Sequence, residues 1–258
     1  MQIPTRCATG LLILALFALS GCVWLRLLEL KGQFADFDRY IEVPPGAGVE
    51  LRFRQPVLLE EDLTFLIKAK PTAQAQADAA NTSVRIYAFA HVPVPGVVDP
   101  PSAAKALFLT MGVRGGKLVF VSFPDEVFAV IPRELALRGM RALGRAAVDQ
   151  AARSATAAVD LAGVAAALPT REALIALFGE PNQRSILADP GPVKPERLLW
   201  RFELRGESLR TDGKPVVAAI AFVFAPGAAQ PQRFQANLGG MWLYLDLPQP
   251  EPKPAAQP

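Results

Sequence analysis

The sequence predicts an α+β protein whose sheets are mainly antiparallel. Three observations favour this class: apolar and polar residues alternate over several short segments, glycine-rich turns join neighbouring segments, and helix-like spacing is confined to a few stretches between them. Hydrophobic residues make up 51% of the 258 residues, which is enough for a sizeable core. We expect two halves, each a helix with an antiparallel sheet, joined by a helical connector.

The first 21 residues have the pattern of a secretory signal peptide. Arg6 precedes an apolar run from Leu11 to Leu19, as in the charged n-region and apolar h-region of such peptides. The run closes with Leu19-Ser20-Gly21-Cys22. An uncleaved membrane anchor is the alternative, but Arg26 ends the apolar stretch before it reaches the roughly 20 residues that a spanning helix needs.

The segment Leu19-Ser20-Gly21-Cys22 resembles the lipobox of bacterial lipoproteins. The resemblance implies cleavage between Gly21 and Cys22 and attachment of diacylglycerol to the Cys22 thiol. By the family's sorting pattern, Val23 after the cysteine implies the outer membrane, where we expect the protein to face the periplasm. Residues 22–32 are then the lipidated anchor and a linker to the body.

Cysteine and charge counts exclude several classes of function. Of the 2 cysteines, Cys7 lies in the predicted signal peptide and Cys22 is predicted to carry lipid, so the mature chain has no thiol for catalysis or zinc and no internal disulfide. A net charge of +3 is too small to predict nucleic-acid binding.

Residues 248–258 are rich in proline and predict a disordered tail.

The first half, residues 33–124, begins with a predicted hairpin. Apolar residues alternate over 35–43 and again over 49–53, and the Pro-Gly segment 44–48 between them is typical of a turn. Asp36 and Asp38 then share one face of the first strand.

A helix is predicted next, beginning at Glu60, Glu61 and Asp62, whose charge suits the positive end of a helix dipole. The polar, alanine-rich segment 72–82 predicts a mobile loop. Three strand candidates follow, of which the last two are joined by a glycine turn at 115–116: 84–92, 106–113 and 117–123.

The connector, residues 125–168, is predicted to be helical. Pro132 fits the first turn of a helix. The alanine-rich part from 148 to 166 places small residues three and four apart, and Arg145, Asp149 and Arg153 have the four-residue spacing of ion pairs on its outer side.

The second half, residues 169–247, carries the clearest local pattern. Thr170 predicts the start of a short helix, and Gly179 with Pro181 predicts its end. Strand candidates then occupy residues 198–204, 216–224 and 233–247, the last interrupted by a Gly-Gly turn at 239–240.

These elements resemble the core of SmpA/OmlA-like outer-membrane lipoproteins, in which a helix-ending Gly-x-Pro-(Asn/Thr) precedes a strand bearing Trp-x-(Tyr/Phe). The matching residues are Gly179, Pro181, Asn182, Trp200 and Phe202. The first half has the same order of a helix and three strands. As a degenerate tandem repeat, the chain would resemble β-lactamase-inhibitor-like proteins, which bind proteins and are not enzymes.

Few residues are candidates for catalysis. His91, the only histidine, shares a predicted strand face with Tyr87 and Phe89 and is a candidate general base or pH-sensitive contact; a packed histidine is the alternative. Glu60, Glu61 and Asp62 could supply an acid pair for glycosidic chemistry, but the preference for acidic residues at a helix start explains them without an extra assumption.

A metal site has equally little support. Asp36 and Asp38 offer two carboxylates to a cation, but no further oxygen ligands lie nearby in the sequence. We therefore predict no enzyme, no cofactor and no metal site.

Two surfaces are candidates for binding. Arg138, Arg141 and Arg145 fall on one predicted helical face and suit lipid phosphates or an acidic partner; the alternative is a solvated face. The other candidate surface, for which burial in the core is the alternative, consists of three aromatic residues: Trp200, Trp242 and Tyr244.

Three functions remain open. The favoured one is a non-catalytic, outer-membrane-anchored lipoprotein that binds proteins in assembly or maintenance of the cell envelope. A periplasm-facing carrier of a lipid or other apolar ligand requires an apolar cavity on the order of several hundred Å³. An envelope hydrolase requires His91 and the candidate carboxylates to converge in a cleft.

Overall fold

The computed structural model describes residues 23–46, 48–77, 81–100, 103, 106–188 and 194–248. Gly21 and Cys22 of the predicted cleavage site, the rest of the predicted signal peptide and residues 249–258 of the proline-rich segment lie outside the described residues.

Within these ranges the chain forms six helices and one short 3-10 turn at Ala165–Ala167. None of the described helices is both long enough and apolar enough to cross a membrane. The helices are α1 (23–35), α2 (Phe37–Tyr40), α3 (Glu60–Ile67), α4 (Asp125–Phe128), α5 (Arg133–Leu143) and α6 (Arg171–Phe178).

The described strands form one 13-stranded sheet in the order β1-β2-β6-β5-β4-β10-β11-β12-β13-β8-β7, with β3 beside β4 and β9 beside β10. Every pairing is antiparallel except that of β13 with β8. The predicted mixture of helices with a mostly antiparallel sheet is therefore confirmed. The strands are β1 (Ile41–Glu42), β2 (Glu50–Phe53), β3 (Ala73–Gln76), β4 (Ser83–His91), β5 (Ala106–Arg114), β6 (Lys117–Ser122), β7 (Ala147–Asp149), β8 (Ser154–Ala158), β9 (Gln183–Ile186), β10 (Glu196–Leu204), β11 (Val217–Phe224), β12 (Pro231–Leu238) and β13 (Met241–Asp246).

The two predicted sheets are joined into one. β4 from the first half pairs with β10 from the second half through His91 with Phe202 and Phe89 with Leu204. The main core lies on one face of this sheet, where Leu63 and Ile67 of α3 and three residues of α6 pack against apolar strand side chains: Leu174, Leu177 and Phe178.

The predicted first hairpin is partly wrong. Residues 35–43 are mostly helical, and only β1 pairs with β2. Phe37 and Ile41 are both buried in the core. Their four-residue spacing fits one face of a helix as well as it fits an alternating strand, which is why the short apolar pattern is ambiguous.

The predicted helix over 148–166 is also wrong. This segment forms β7 and β8, and β8 adds to the sheet beside β13. Alanine favours a helix, but the backbone hydrogen bonds available at the sheet edge override that weak preference. Arg153 has a φ of 51° in the turn between β7 and β8, so the predicted four-apart ion pairs on a helix do not form.

The predicted loop at 72–82 contains a strand. Residues 73–76 form β3, which pairs with β4. All four of its side chains are exposed, so no apolar pattern marks it in the sequence.

The predicted bounds of α6 and the predicted glycine turn at 115–116 are confirmed. Thr170 begins α6, and its side-chain oxygen accepts a hydrogen bond from the Ala173 amide at 3.2 Å. Gly179 ends the helix with a φ of 77°, and the glycine turn at 115–116 joins β5 to β6.

Candidate functional site

The face of the sheet opposite the main core carries none of the six described helices; we call it the open face. Side chains alternate between the two faces of a strand, so the residues that pack against α3 and α6 fix which neighbours lie on the open face. On β10, Trp200 and Phe202 are in the core, and the open face therefore carries Leu199, Arg201 and Glu203.

The strand register arranges the open face of the second half in rows. One row runs Arg201, Ala219, Asn237 and Trp242 from β10 to β13. The next row contains Leu199, Ala221, Gln235 and Tyr244, and the third contains Arg197, Val223, Arg233 and Asp246.

We call the surface over these rows the groove. Between the arginines of β10 and the aromatic residues of β13 lie the small side chains of β11, of which Ala219 is partly exposed and Ala221 is completely buried. Four neighbouring strands span about 14 Å at the usual strand spacing. Trp242 and Tyr244 stack on each other, with ring centroids 5.9 Å apart and planes at 11°.

The β10 side of the groove is basic. Arg201, Glu203 and Arg205 are exposed, and within the described residues Arg201 and Arg205 have no ion-pair partner. Arg197 lies on the same face, and its Nε atom is buried without a hydrogen-bond partner in the described chain. Three arginines and one glutamate therefore lie on this side of β10 and the residue after it: Arg197, Arg201, Arg205 and Glu203.

The open face continues onto the first half. Phe108 of β5 lies opposite Ala88 and is 47% exposed. Phe120 of β6 lies beside Gly112, and its ring occupies the space that a Cβ atom on this glycine would need. This half of the face is thus mainly apolar.

The three aromatic residues predicted as a binding surface lie on different faces of the sheet. Trp200 is completely buried, and its Nε1 atom donates a hydrogen bond to the Gly179 carbonyl at 2.8 Å. Trp242 and Tyr244 lie on the open face. The sequence shows the alternation along β10, but it does not show which face of the sheet lacks helices.

The three candidate arginines do not form one helical face. α5 ends at Leu143, so Arg145 lies in the following turn. Arg138 pairs with Glu134 and donates to two backbone carbonyls, whereas Arg141 pairs with Asp38 at 2.8 Å. A binding role for these arginines stays a prediction, but two of them already hold internal contacts.

His91 is a core residue. Its side chain is 5% exposed, and its ring lies 5.6 Å from that of Phe202. The Nδ1 atom is 3.4 Å from Asp99, and the Nε2 atom has no hydrogen-bond partner in the described residues.

The candidate carboxylates lie elsewhere. Glu60 pairs with Arg85, six residues from His91 along β4, which corresponds to about 20 Å. Asp38 belongs to α2, not to a strand, and Asp36 precedes that helix. Within the described ranges no three His, Cys, Asp or Glu residues form a group that could hold a metal ion.

Two clefts are lined by charged residues. One of about 340 Å³ has Lys68, Arg210 and Lys214 in its lining, and one of about 440 Å³ has Arg26 and Lys117. Beside the first, a hydrogen bond from Arg210 holds the pKa of the exposed Asp212 carboxyl far below its usual value. Both clefts combine these charged side chains with apolar ones, Val216 and Val217 in the first and Val57 and Leu59 in the second, so neither is a purely apolar cavity.

The fold and the open face define a mixed α/β protein with its helices on one side of a large, mostly antiparallel sheet. Comparison with protein-family models, with curated proteins and with solved structures finds no match.

Proposed function

We propose that the chain is a non-catalytic lipoprotein, anchored to the outer membrane through Cys22, that binds an envelope protein on its open face. The composition of the open face carries the proposal. Tryptophan, tyrosine, phenylalanine and arginine occupy it, and the described strands β10 to β13 of its second half carry no lysine. Protein interfaces are enriched in these aromatic residues and arginine and are depleted in lysine.

The charge of the groove indicates the chemistry of the partner. Arg197 and Arg201 of β10, with Arg205 just after its end, outnumber Glu203, so a partner with acidic side chains gains complementary contacts there. Trp242 and Tyr244 offer a rigid aromatic anchor on the β13 side. The spacing of about 14 Å between β10 and β13 suits a helix of about 10–12 Å diameter laid over Ala219.

We also propose that the two halves are a tandem repeat. Corresponding elements follow in the same order, and the first three pairs have equal lengths: α3 and α6 have 8 residues, β3 and β9 have 4, and β4 and β10 have 9. Each helix ends at a residue with positive φ, which is Lys68 at 60° or Gly179 at 77°.

Side-chain contacts support the same correspondence. The residue before each short strand, Thr72 or Asn182, accepts a hydrogen bond through its side-chain oxygen from an amide of the long strand, that of Ala88 or Arg201. If Ala88 corresponds to Arg201, the β4–β10 register is symmetric, because exchanging the halves reproduces the same pairs: His91 with Phe202, Ala90 with Glu203 and Phe89 with Leu204.

The β-bulges fall at corresponding places. The register between β5 and β6 shifts between Gly112 and Val113, and the register between β11 and β12 shifts between Val223 and Phe224. Bulges are specific features of a fold. A tandem repeat of this kind is the arrangement of β-lactamase-inhibitor-like proteins, which agrees with a protein-binding function.

A crosslinking pull-down from isolated envelopes tests the open face. Arg201→Glu reverses one charge of the basic side, and we expect recovery of the partner to fall at least about tenfold because like charges then meet across the interface. Arg145→Glu is the matched control, an exposed arginine outside the groove, and it should leave recovery unchanged. Loss with Arg145→Glu but not with Arg201→Glu would move the binding surface to the end of α5.

Fractionation of the same envelopes, with a mass measurement of the protein, tests the lipid anchor. Cys22→Ala removes the atom proposed to carry lipid, so the protein should move from the outer-membrane fraction to the soluble periplasm and lose the mass of the acyl chains. An unchanged mass and fractionation would refute the lipoprotein assignment without bearing on the open face. Co-purified lipid without a protein partner would favour the carrier.

A further inference from the structure

Helix α1 is apolar on both sides. Its inner side packs against the main core through Leu27, Leu30 and Phe34. Arg26 fixes the helix further by donating through Nε and Nη2 to the two carboxylate oxygens of Asp62, each at 2.6 Å. α1 is thus a firmly docked part of the body.

Its outer side exposes three large apolar side chains. Trp24 is 40% exposed, Leu25 is 66% exposed and Leu28 is 53% exposed. Their spacings of three and four residues place them together on one side of the helix. The exposed Glu29 and the partly buried Lys31 border this patch, so the outer side of α1 combines an apolar patch with charged flanks, as helices that lie in a membrane interface do.

The position of this patch in the chain indicates what covers it. Leu28 lies only six residues after Cys22, and the helical residues between them rise about 1.5 Å each. If Cys22 carries acyl chains in a bilayer, the three side chains lie within reach of the same bilayer surface. Tryptophan is enriched at such interfaces, and apolar helix faces bury there by about 5–10 Å.

We propose that the outer side of α1 inserts into the membrane interface and orients the whole protein; this rests on the proposed lipid anchor at Cys22. α1 packs on the helix side of the sheet, and its exposed side points away from the core. Insertion therefore turns the helix layer toward the bilayer and the open face toward the periplasm, where a partner can reach it.

Single fluorescent labels on the mature full-length protein test this orientation. Because the mature chain has no thiol besides Cys22, Leu25→Cys and Phe108→Cys each accept one environment-sensitive dye. The protein is bound to vesicles of phosphatidylethanolamine and phosphatidylglycerol that contain a shallow nitroxide lipid. We expect the nitroxide to quench the dye at position 25 at least twofold more than the dye at position 108, and aqueous iodide to show the reverse order.

Equal iodide access at the two positions would overturn the proposal. Protection of position 25 without vesicles, together with a doubled mass in solution, would also overturn it and would assign the patch to a second copy of the chain. Mass spectrometry of the same samples decides separately whether Cys22 carries lipid. If Cys22 is unlipidated, Cys22→Ser removes its free thiol before labelling, and a dye at position 25 that is still quenched would then refute the anchor but support insertion of α1.

Discussion

Asp62→Ala should lower the free energy of unfolding by about 3 kcal/mol, because it removes the buried carboxylate that pairs with Arg26. Asp62 is completely buried and accepts hydrogen bonds from Arg26 and from the Leu59 amide, the latter at 2.8 Å. The Asp62 carboxylate thus caps the first turn of α3 and also holds α1 in place through Arg26. Urea unfolding followed by tryptophan fluorescence measures the change.

Two further variants distinguish loss of the Arg26–Asp62 ion pair from a nonspecific loss of stability. Glu61→Ala removes a neighbouring carboxylate that is 77% exposed and should change stability by less than about 0.5 kcal/mol. Replacing both partners, Arg26→Leu with Asp62→Leu, should recover most of the loss, since an apolar pair carries no desolvation cost. An Asp62→Ala protein as stable as the wild type would show that α1 is not held by this contact.

Trp200→Ala should cost about 3–5 kcal/mol, the range for truncating a large buried aromatic residue. The indole packs at 5.6 Å from the Phe178 ring and at 6.3 Å from the Phe222 ring, measured between centroids. Truncation leaves a cavity at this contact and removes the hydrogen-bond donor to the Gly179 carbonyl. Calorimetric or urea unfolding reports the loss.

Trp242→Ala is the matched control, because it truncates the same residue type on the other face of the sheet. Trp242 is only partly buried, so we expect a loss of stability below about 1.5 kcal/mol. A larger cost for Trp242 than for Trp200 would mean that the assignment of faces is inverted, since a one-residue slip exchanges the two faces of a strand.

The second half was the more predictable part of the fold because several local signals agree there. Thr170 and Gly179 delimit α6, and Trp200, Phe202 and Leu204 alternate with charged residues along β10. Local capping, turn chemistry and the two-residue period all point to the same structure in this region.

The rest depended on contacts between distant segments. β8 is a strand because it pairs with β13, far along the chain, whereas its own alanine-rich sequence favours a helix. β3 is four exposed residues held by β4. No local pattern encodes either pairing.

For the same reason, the sequence predicts only part of the candidate site. The arginines of β10 and the aromatic residues of β13 stand out in the sequence, but residues 241–245 are apolar or aromatic on both faces and do not show which face is exposed. Only the joining of the two halves through β4 and β10 into one sheet, with every helix on one side, leaves a continuous open face.

Photocrosslinking from the groove tests the central claim most directly. A photoreactive amino acid replaces Ala219 on the open face, and a second variant carries it at the exposed Glu134 on α5. In intact cells, we expect Ala219 to give one discrete crosslinked protein, absent from the Glu134 sample and reduced by Arg201→Glu. A crosslink from Glu134 with none from Ala219 would contradict the assignment of the open face as the partner-binding surface.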